Sequence, residues 1–157
     1  MYVTEASAGV SPISTCQTIM SSGSYELTQN LNHDGTNPPN GCLEVDADNV
    51  TIRDFGAGIS LGGDRCRIEW IIAFRNGNDG IVLGAGHCDV NNNIANDNVT
   101  DGIEAGPNNN IIYNTANGNG TGINVVCPSN LVGNIAQNNG TNLNQFGAGF
   151  KRYNNLF

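Results

Sequence analysis

The chain has 157 residues and a net charge of −8, and only 13% of its residues are charged, about half the usual fraction. That length suits one domain. The acidity argues against nucleic acid and anionic membranes as partners, since both demand Lys and Arg clusters. An acidic polysaccharide would need a bridging cation, and no apolar run is long enough to span a bilayer.

In chain order, Met1 to Ser14 has neither the basic start nor the apolar run of a secretory leader. Either a leader has been removed or the protein is cytoplasmic. Residues 1–41 are expected to form an N-terminal arm and cap, because a stack of strands needs a cover at each end. Ser24 to Thr28 alternates like a strand, and His33 to Gly41 is a polar loop containing Pro38-Pro39. Cys16 and Cys42 could staple this segment, a crosslink worth about 3 kcal/mol for such a loop. Asn49 to Arg53 then alternates at strand period.

From residue 42 to 145 the chemistry repeats. Ile59, Ile81, Ile103, Ile123 and Leu143 are separated by 22, 22, 20 and 20 residues. Ile68, Val90, Ile111 and Leu131 form a second column, and Ala73, Ala95, Ala116 and Ala136 a third. Asn76, Asn98, Asn119 and Asn139 form a fourth, and Asn93, Asn114 and Asn134 a shorter fifth interrupted by Ile71. A repeat this short means a solenoid whose turns bury their apolar positions against one another. Ile59-Ser60-Leu61, Ile81-Val82-Leu83 and Ile123-Asn124-Val125 alternate with period two, so the turns are built of strands. These ordered columns argue against reading the 27 Asn and 21 Gly as a disordered or prion-like tract.

Stacked Asn amides about 4.8 Å apart can hydrogen-bond as ladders, and Asn tolerates a left-handed backbone at the corners. The small Ala column is expected where the coil bends inward. The Gly column (Gly58, Gly80, Gly102, Gly122) is expected to take backbone angles that other residues avoid. Three of the four Asn-x-Thr triplets, at Asn98, Asn119 and Asn139 but not Asn49, lie in the ladder column, and all four read as corner chemistry rather than glycan acceptors.

Cys66 and Cys88 share a column, within disulfide reach, but adjacent in-register strands orient such side chains poorly, so two stacked buried thiols are expected. Cys127 has no obvious partner. The odd count leaves the redox compartment open, with an extracellular or periplasmic location expected.

Ionisable residues gather in one place. Arg65, Arg67 and Glu69 flank Cys66 and Ile68, and one turn later His87, Asp89 and Asn91 flank Cys88 and Val90. Two readings stand: a cross-strand ion pair with a bystander His, or a base and a cation for chemistry next to a uronate carboxylate. Asp79 and Asp101 also share a column. Stacked carboxylates repel unless a proton or cation sits between them, which makes calcium conceivable. Turn formation explains the same two residues. The outward column Ser60, Val82, Glu104, Asn124 is too mixed for the regular array an ice-binding surface would need.

The last segment, 146–157, places Phe146, Phe150, Tyr153 and Phe157 at helical spacing among poor helix formers. It is expected to be an aromatic flap over the last turn, or a surface for self-association.

Asn78-Asp79-Gly80-Ile81-Val82-Leu83 and Asp89-Val90-Asn91-Asn92-Asn93-Ile94-Ala95-Asn96-Asp97-Asn98 resemble the repeat of right-handed parallel β-helix, pectin-lyase-like proteins. The Cys16 to Ile52 segment resembles the opening region of secreted members, with Phe55-Gly56-Ala57-Gly58 as a loose match to their first turn. The resemblance implies an all-β, short, single-stranded right-handed parallel β-helix of about five rungs with an N-terminal capping segment. For function it implies little, because such folds host lyases, hydrolases, epimerases and non-catalytic surface proteins. Gly86-His87-Cys88 is only a fragment of the Gly-His-Gly turn of polygalacturonase-like enzymes, their Arg-x-Lys triplet is absent, and there is no Lys-Arg set like that of pectate lyases. The expected function is a non-catalytic binding or structural module that binds carbohydrate or assembles as a homo-oligomer. The alternatives are a small uronate lyase or epimerase and a fragment of a longer β-helix.

Overall fold

A computed structural model describes residues 9–27, 43–45, 47, 50–53, 58–62, 64–84 and 86–157. Its strands are β1 (Ser11–Ile13), β2 (Gln17–Ile19), β3 (Gly23–Leu27), β4 (Leu43–Val45), β5 (Val50–Arg53), β6 (Ile59–Leu61), β7 (Arg67–Glu69), β8 (Ile72–Phe74), β9 (Ile81–Leu83), β10 (Asp89–Asn91), β11 (Ile94–Asn96), β12 (Asp101–Ala105), β13 (Asn110–Ile112), β14 (Thr121–Val126), β15 (Asn130–Val132), β16 (Thr141–Phe146) and β17 (Lys151–Tyr153). The first sheet runs β1-β3-β5-β7-β10-β13-β15-β17 and the second β2-β4-β6-β9-β12-β14-β16. The third pairs β8 with β11 and continues through the single bridges Ile94–Thr115, Thr115–Ile135 and Ile135–Leu156. Every pairing is parallel, as between Val90 and Ile111 or Ile103 and Ile123. The molecule is a β-solenoid, and from Arg67 to Phe146 the chain visits the first, third and second sheets in turn, closing four three-sided turns.

The repeat columns form the core. Ile59, Ile81, Ile103 and Ile123 stack inside the second sheet, and Ile68, Val90, Ile111 and Leu131 inside the first, all buried, with Leu143 packed against them. Each fully buried Ile or Leu contributes about 1.5–3 kcal/mol. Ala73, Ala95, Ala116 and Ala136 line the third sheet, also buried.

The corners are held by amide ladders. Asn93 donates from its backbone N–H (2.9 Å) and its Nδ2 (3.0 Å) to Asn114 Oδ1. Asn114 does the same to Asn134, and Asn134 to Asn155. Each Nδ2 also reaches back to a carbonyl of the preceding turn: Ile68 for Asn93, Val90 for Asn114 and Ile111 for Asn134. The column of Asn76, Asn98, Asn119 and Asn139 repeats the pattern and ends on Asn142 Oδ1. At the third corner the column reads Cys66, Cys88, Asn109, Ser129. Cys66 N–H donates to Cys88 Sγ (3.2 Å), Cys88 N–H to Asn109 Oδ1 (2.9 Å) and Asn109 N–H to Ser129 Oγ (3.2 Å). The two thiols therefore fill ladder positions and are not joined by a disulfide.

The ladder Asn is not the residue that turns the corner. The left-handed residue sits immediately before it, at Trp70 (φ 64°), Asn92 (55°), Tyr113 (55°), Gly133 (62°) and Asn154 (53°) on one corner. Arg75, Asp97, Gly118 and Asn138 occupy the second corner, and Arg65, His87 and Asn108 the third. An ordinary side chain in this conformation costs about 1–2 kcal/mol, and Asn and Gly pay least.

The Gly column differs from expectation in its reason. Gly80, Gly102 and Gly122 do not take positive φ. A Cβ on Gly102 would instead lie 2.6 Å from Asn119 Nδ2 and 2.6 Å from the Gly122 carbonyl. These glycines are fixed by the passing ladder, not by backbone angle.

Both ends continue the strand pairing of the solenoid. β1, β2 and β3, within the expected N-terminal cap, already pair into the two long sheets. β17 extends the first sheet beyond β15, and Leu156 bridges Ile135, so the segment after Phe146 starts another turn rather than a helix. Cys16 is disulfide-bonded. Cys42, its expected partner, lies outside the described residues, as do the loop His33 to Gly41 and the segment Phe55 to Ala57.

Replacing Asn114 by Ala would leave the Asn93 N–H and the Val90 carbonyl without this partner. At about 1–3 kcal/mol for each buried group, Asn114→Ala should lower unfolding stability by roughly 2–6 kcal/mol, read from a urea or guanidinium midpoint. An unchanged midpoint would show that the ladder does not hold the corner.

Candidate functional site

With the interior filled and the corners bonded, the side chains open to a ligand stand on the outer faces. The five residues singled out by their charge lie on and beside the first sheet but do not converge on one point. Arg67 and Asp89 are in register on β7 and β10 and form an exposed ion pair, Nη2 to Oδ2 3.4 Å. Such a pair contributes little on its own. Asp89 Oδ1 also accepts from Asn110 Nδ2 (2.8 Å), and Asn110 Oδ1 from Asn130 Nδ2 (2.8 Å), so Arg67 heads a polar chain up the sheet. Glu69 faces the next outward column, level with Asn91.

Arg65 and His87 hold left-handed corner positions one turn apart. His87 Nδ1 lies 3.0 Å from Asp64 Oδ1, a partner the sequence did not single out. That hydrogen bond, followed by the charges of His87 and Arg65, holds the Asp64 carboxyl below the usual range. Arg67 and His87, the two groups that deprotonation of a uronate would call on, are thus each engaged by a carboxylate.

A second cluster lies at the second sheet. Asp79 and Asp101 come together as their shared column implies, and Glu104 joins them, with oxygens of all three within 4.8 Å of one another. Thr100 Oγ1 hydrogen-bonds Asp79 Oδ1 very closely, the Asp101 N–H donates to that same oxygen (2.8 Å), and Asn124 Nδ2 donates to Asp101 Oδ2 (2.7 Å). Asp79 therefore works as a turn acceptor, as its sequence position suggests. Glu104 was visible in the sequence only as a member of a mixed outward column. It stands three residues from Asp101 on β12, across Gly102 and the buried Ile103, a spacing that a regular pleat sets on opposite faces, so the column pattern gave no sign of the approach. Partial burial first, then repulsion from Asp79 and Asp101, raises the Glu104 pKa. Three converging carboxylates have the hard-oxygen chemistry that calcium takes.

The four aromatics of the last segment separate. Phe150 and Phe157 pack against the core, whereas Phe146 (54%) and Tyr153 (60%) are exposed. At the corner between the first and third sheets, Trp70 and Tyr113 are large exposed rings that sequence reasoning passed over, as is Phe74 on the third face. The signal of Trp70 and Tyr113 was positional: each immediately precedes a corner position, at Ile71 and Asn114.

Three of the triplet asparagines behave as corner residues, and the fourth, Asn49, lies outside the described residues. Asn98 and Asn119 are buried, and the amides of Asn98, Asn119 and Asn139 are committed to the ladder. No helix among the described residues is long and apolar enough to cross a membrane. No family model, curated protein or solved structure matches the chain.

A raised pKa means that the folded chain holds the Glu104 proton more tightly than the unfolded chain does. This group's stabilising contribution is therefore present at low pH and lost as pH rises through the raised value. Lowering the pH from neutral to below the ordinary glutamate range, about 4, should raise the melting temperature more, or lower it less, in the parent than in Glu104→Gln, with the variant the more stable of the two near pH 7. Equal pH profiles would remove the repulsion. A calcium site here further requires that calcium raise the melting temperature and that Glu104→Gln cancel the rise.

Proposed function

We propose that this β-solenoid is a short right-handed β-helix of the pectin-lyase-like type that acts as a non-catalytic module, binding carbohydrate on its outer faces. The observation that carries this reading is the engagement of the would-be catalytic groups, Arg67 by Asp89 and His87 by Asp64, on an open strand face. The connections support it. After β5 the longest are the eight-residue segments 113–120 and 133–140, too short and too tightly laddered to roof a cleft of the kind that buries a substrate. The Cys16 disulfide supports an oxidising, extracellular or periplasmic location.

Self-association is the second reading, favoured by Phe146 and Tyr153 on the last two strands. A concentration-independent monomeric mass with both rings intact would end it.

A panel of neutral and uronate polysaccharides, with calcium present, separates binding from catalysis. The expected result is retention of the protein by at least one polysaccharide with no oligosaccharide released. Released products that vanish in His87→Ala or Arg67→Ala would overturn the non-catalytic reading in favour of a lyase, and a substrate epimerised by the parent alone would do so in favour of an epimerase.

A further inference from the structure

The corner between the first and third sheets breaks the economy of the fold. Its left-handed column reads Trp70, Asn92, Tyr113, Gly133, Asn154. Three of these residues suit the conformation and two do not, and the two that do not are large aromatics, exposed at 60% and 61%. The other corners also carry bulky left-handed residues, Arg65, Arg75 and His87, so it is the placing of two exposed aromatic rings on one corner, in a column otherwise filled by Asn and Gly, that points to a use for the side chains.

The rings are placed for stacking. A Cβ on Gly133 would collide with Cδ1 and Cε1 of the Tyr113 ring. The ring therefore lies across the bare glycine of the next turn, with much of its surface still in solvent. Trp70 stands two turns before Tyr113, about 10 Å along the stack, with Asn92 between them. Alongside runs the in-register outward column Ile72, Ile94, Thr115, Ile135 of the third face, whose three isoleucines are exposed.

We propose that this corner is a platform for a neutral glycan, an inference that rests on the carbohydrate reading above. The apolar C–H face of a pyranose stacks on an aromatic ring, and a sugar in an extended chain advances about as far as one strand spacing. A chain lying along the solenoid axis sets alternate sugars over Trp70 and Tyr113, with the Asn92 amide between them to bond hydroxyls. The net charge of −8 repels uronates and also a second copy of this chain, so the occupant is uncharged.

Trp70 is the single tryptophan, so its fluorescence reports the platform directly. The full chain is titrated with cellohexaose, chitohexaose, mannohexaose and, as the anionic comparison, oligogalacturonate, and the melting temperature of each variant is measured alongside. A neutral hexasaccharide should quench or blue-shift the emission. Tyr113→Asn should weaken that response by about tenfold or more, roughly 1.4 kcal/mol. Trp70→Asn, followed by affinity electrophoresis, should lose retention on the matching neutral polysaccharide without a fall in melting temperature, because Asn is the residue this column already uses. Full retention by both variants overturns the platform and leaves the carbohydrate reading standing. A response to oligogalacturonate alone overturns the neutral class. Saccharide binding to none of the probes overturns both. A fall in melting temperature in Trp70→Asn makes its ring structural, and a concentration-dependent mass that Trp70→Asn abolishes makes the occupant a second copy; either result overturns the proposal.

Discussion

Each corner of this coil turns a backbone N–H inward, where neither water nor a neighbouring strand can meet it, and an unpaired buried N–H costs about 1–3 kcal/mol. The fold meets that demand with a side-chain oxygen from the next turn. Asn suits the place because one amide does three jobs: its oxygen accepts the inward N–H, its nitrogen binds the next amide, and the same nitrogen reaches a carbonyl of the turn before. Much else follows from this arrangement. Gly80, Gly102 and Gly122 have no side chain because the ladder runs through the space a Cβ would take, and such a Cβ would also lie only 3.2, 3.0 and 2.8 Å from the Cβ atoms of Ala95, Ala116 and Ala136. At the second-to-first corner, Cys and Ser substitute because a thiol or hydroxyl can still accept the inward N–H. The side-chain hydrogen bond with Cys66 lowers the Cys88 pKa against the opposing effect of burial, and the thiol is fully buried.

The solenoid was legible because each turn repeats one burial problem in the same order. The Ile, Ala and Asn columns needed no partner from afar to be recognised, and the stacking of Cys66 on Cys88 followed from their shared register. The left-handed residues were harder to see. What fixes that position is the backbone of the corner, and Trp70, Arg75, Arg65 and His87 share no side-chain chemistry that would mark them as a column. The Gly column was recognised and its cause misread, because sequence shows that a side chain is missing and not what occupies its space. The ends were less legible. Ser11–Ile13 and Lys151–Tyr153 pair as strands, and only the second is followed by corner asparagines, Asn154 and Asn155, that continue the columns.

The candidate sites divide along the same line. Columns predicted in-register neighbours well, so Arg67 met Asp89 and Asp79 met Asp101. They did not predict neighbours that meet across a turn, such as Asp64 with His87, or within one strand, such as Glu104 with Asp101. The Asn-x-Thr triplets show the strength of the columns: the repeat phase marked Asn98, Asn119 and Asn139 as corner residues rather than exposed acceptors, and their amides lie in the ladder.

A scaffold whose interior and corners are determined this tightly leaves evolution mainly the outward positions to vary. Most outward residues here are small or polar and cost the fold little. Trp70 and Tyr113 are different, since the backbone at their positions favours Asn or Gly. Packing against the bare Gly133 recovers part of that cost for Tyr113. Stability alone therefore gives no reason to keep both rings exposed two turns apart on one corner. Arg65, Arg75 and His87 carry the same backbone cost at the other corners, but only here do two exposed rings share one corner, which is why the aromatic corner, rather than the more conspicuous charged face, is the better place to look for a ligand.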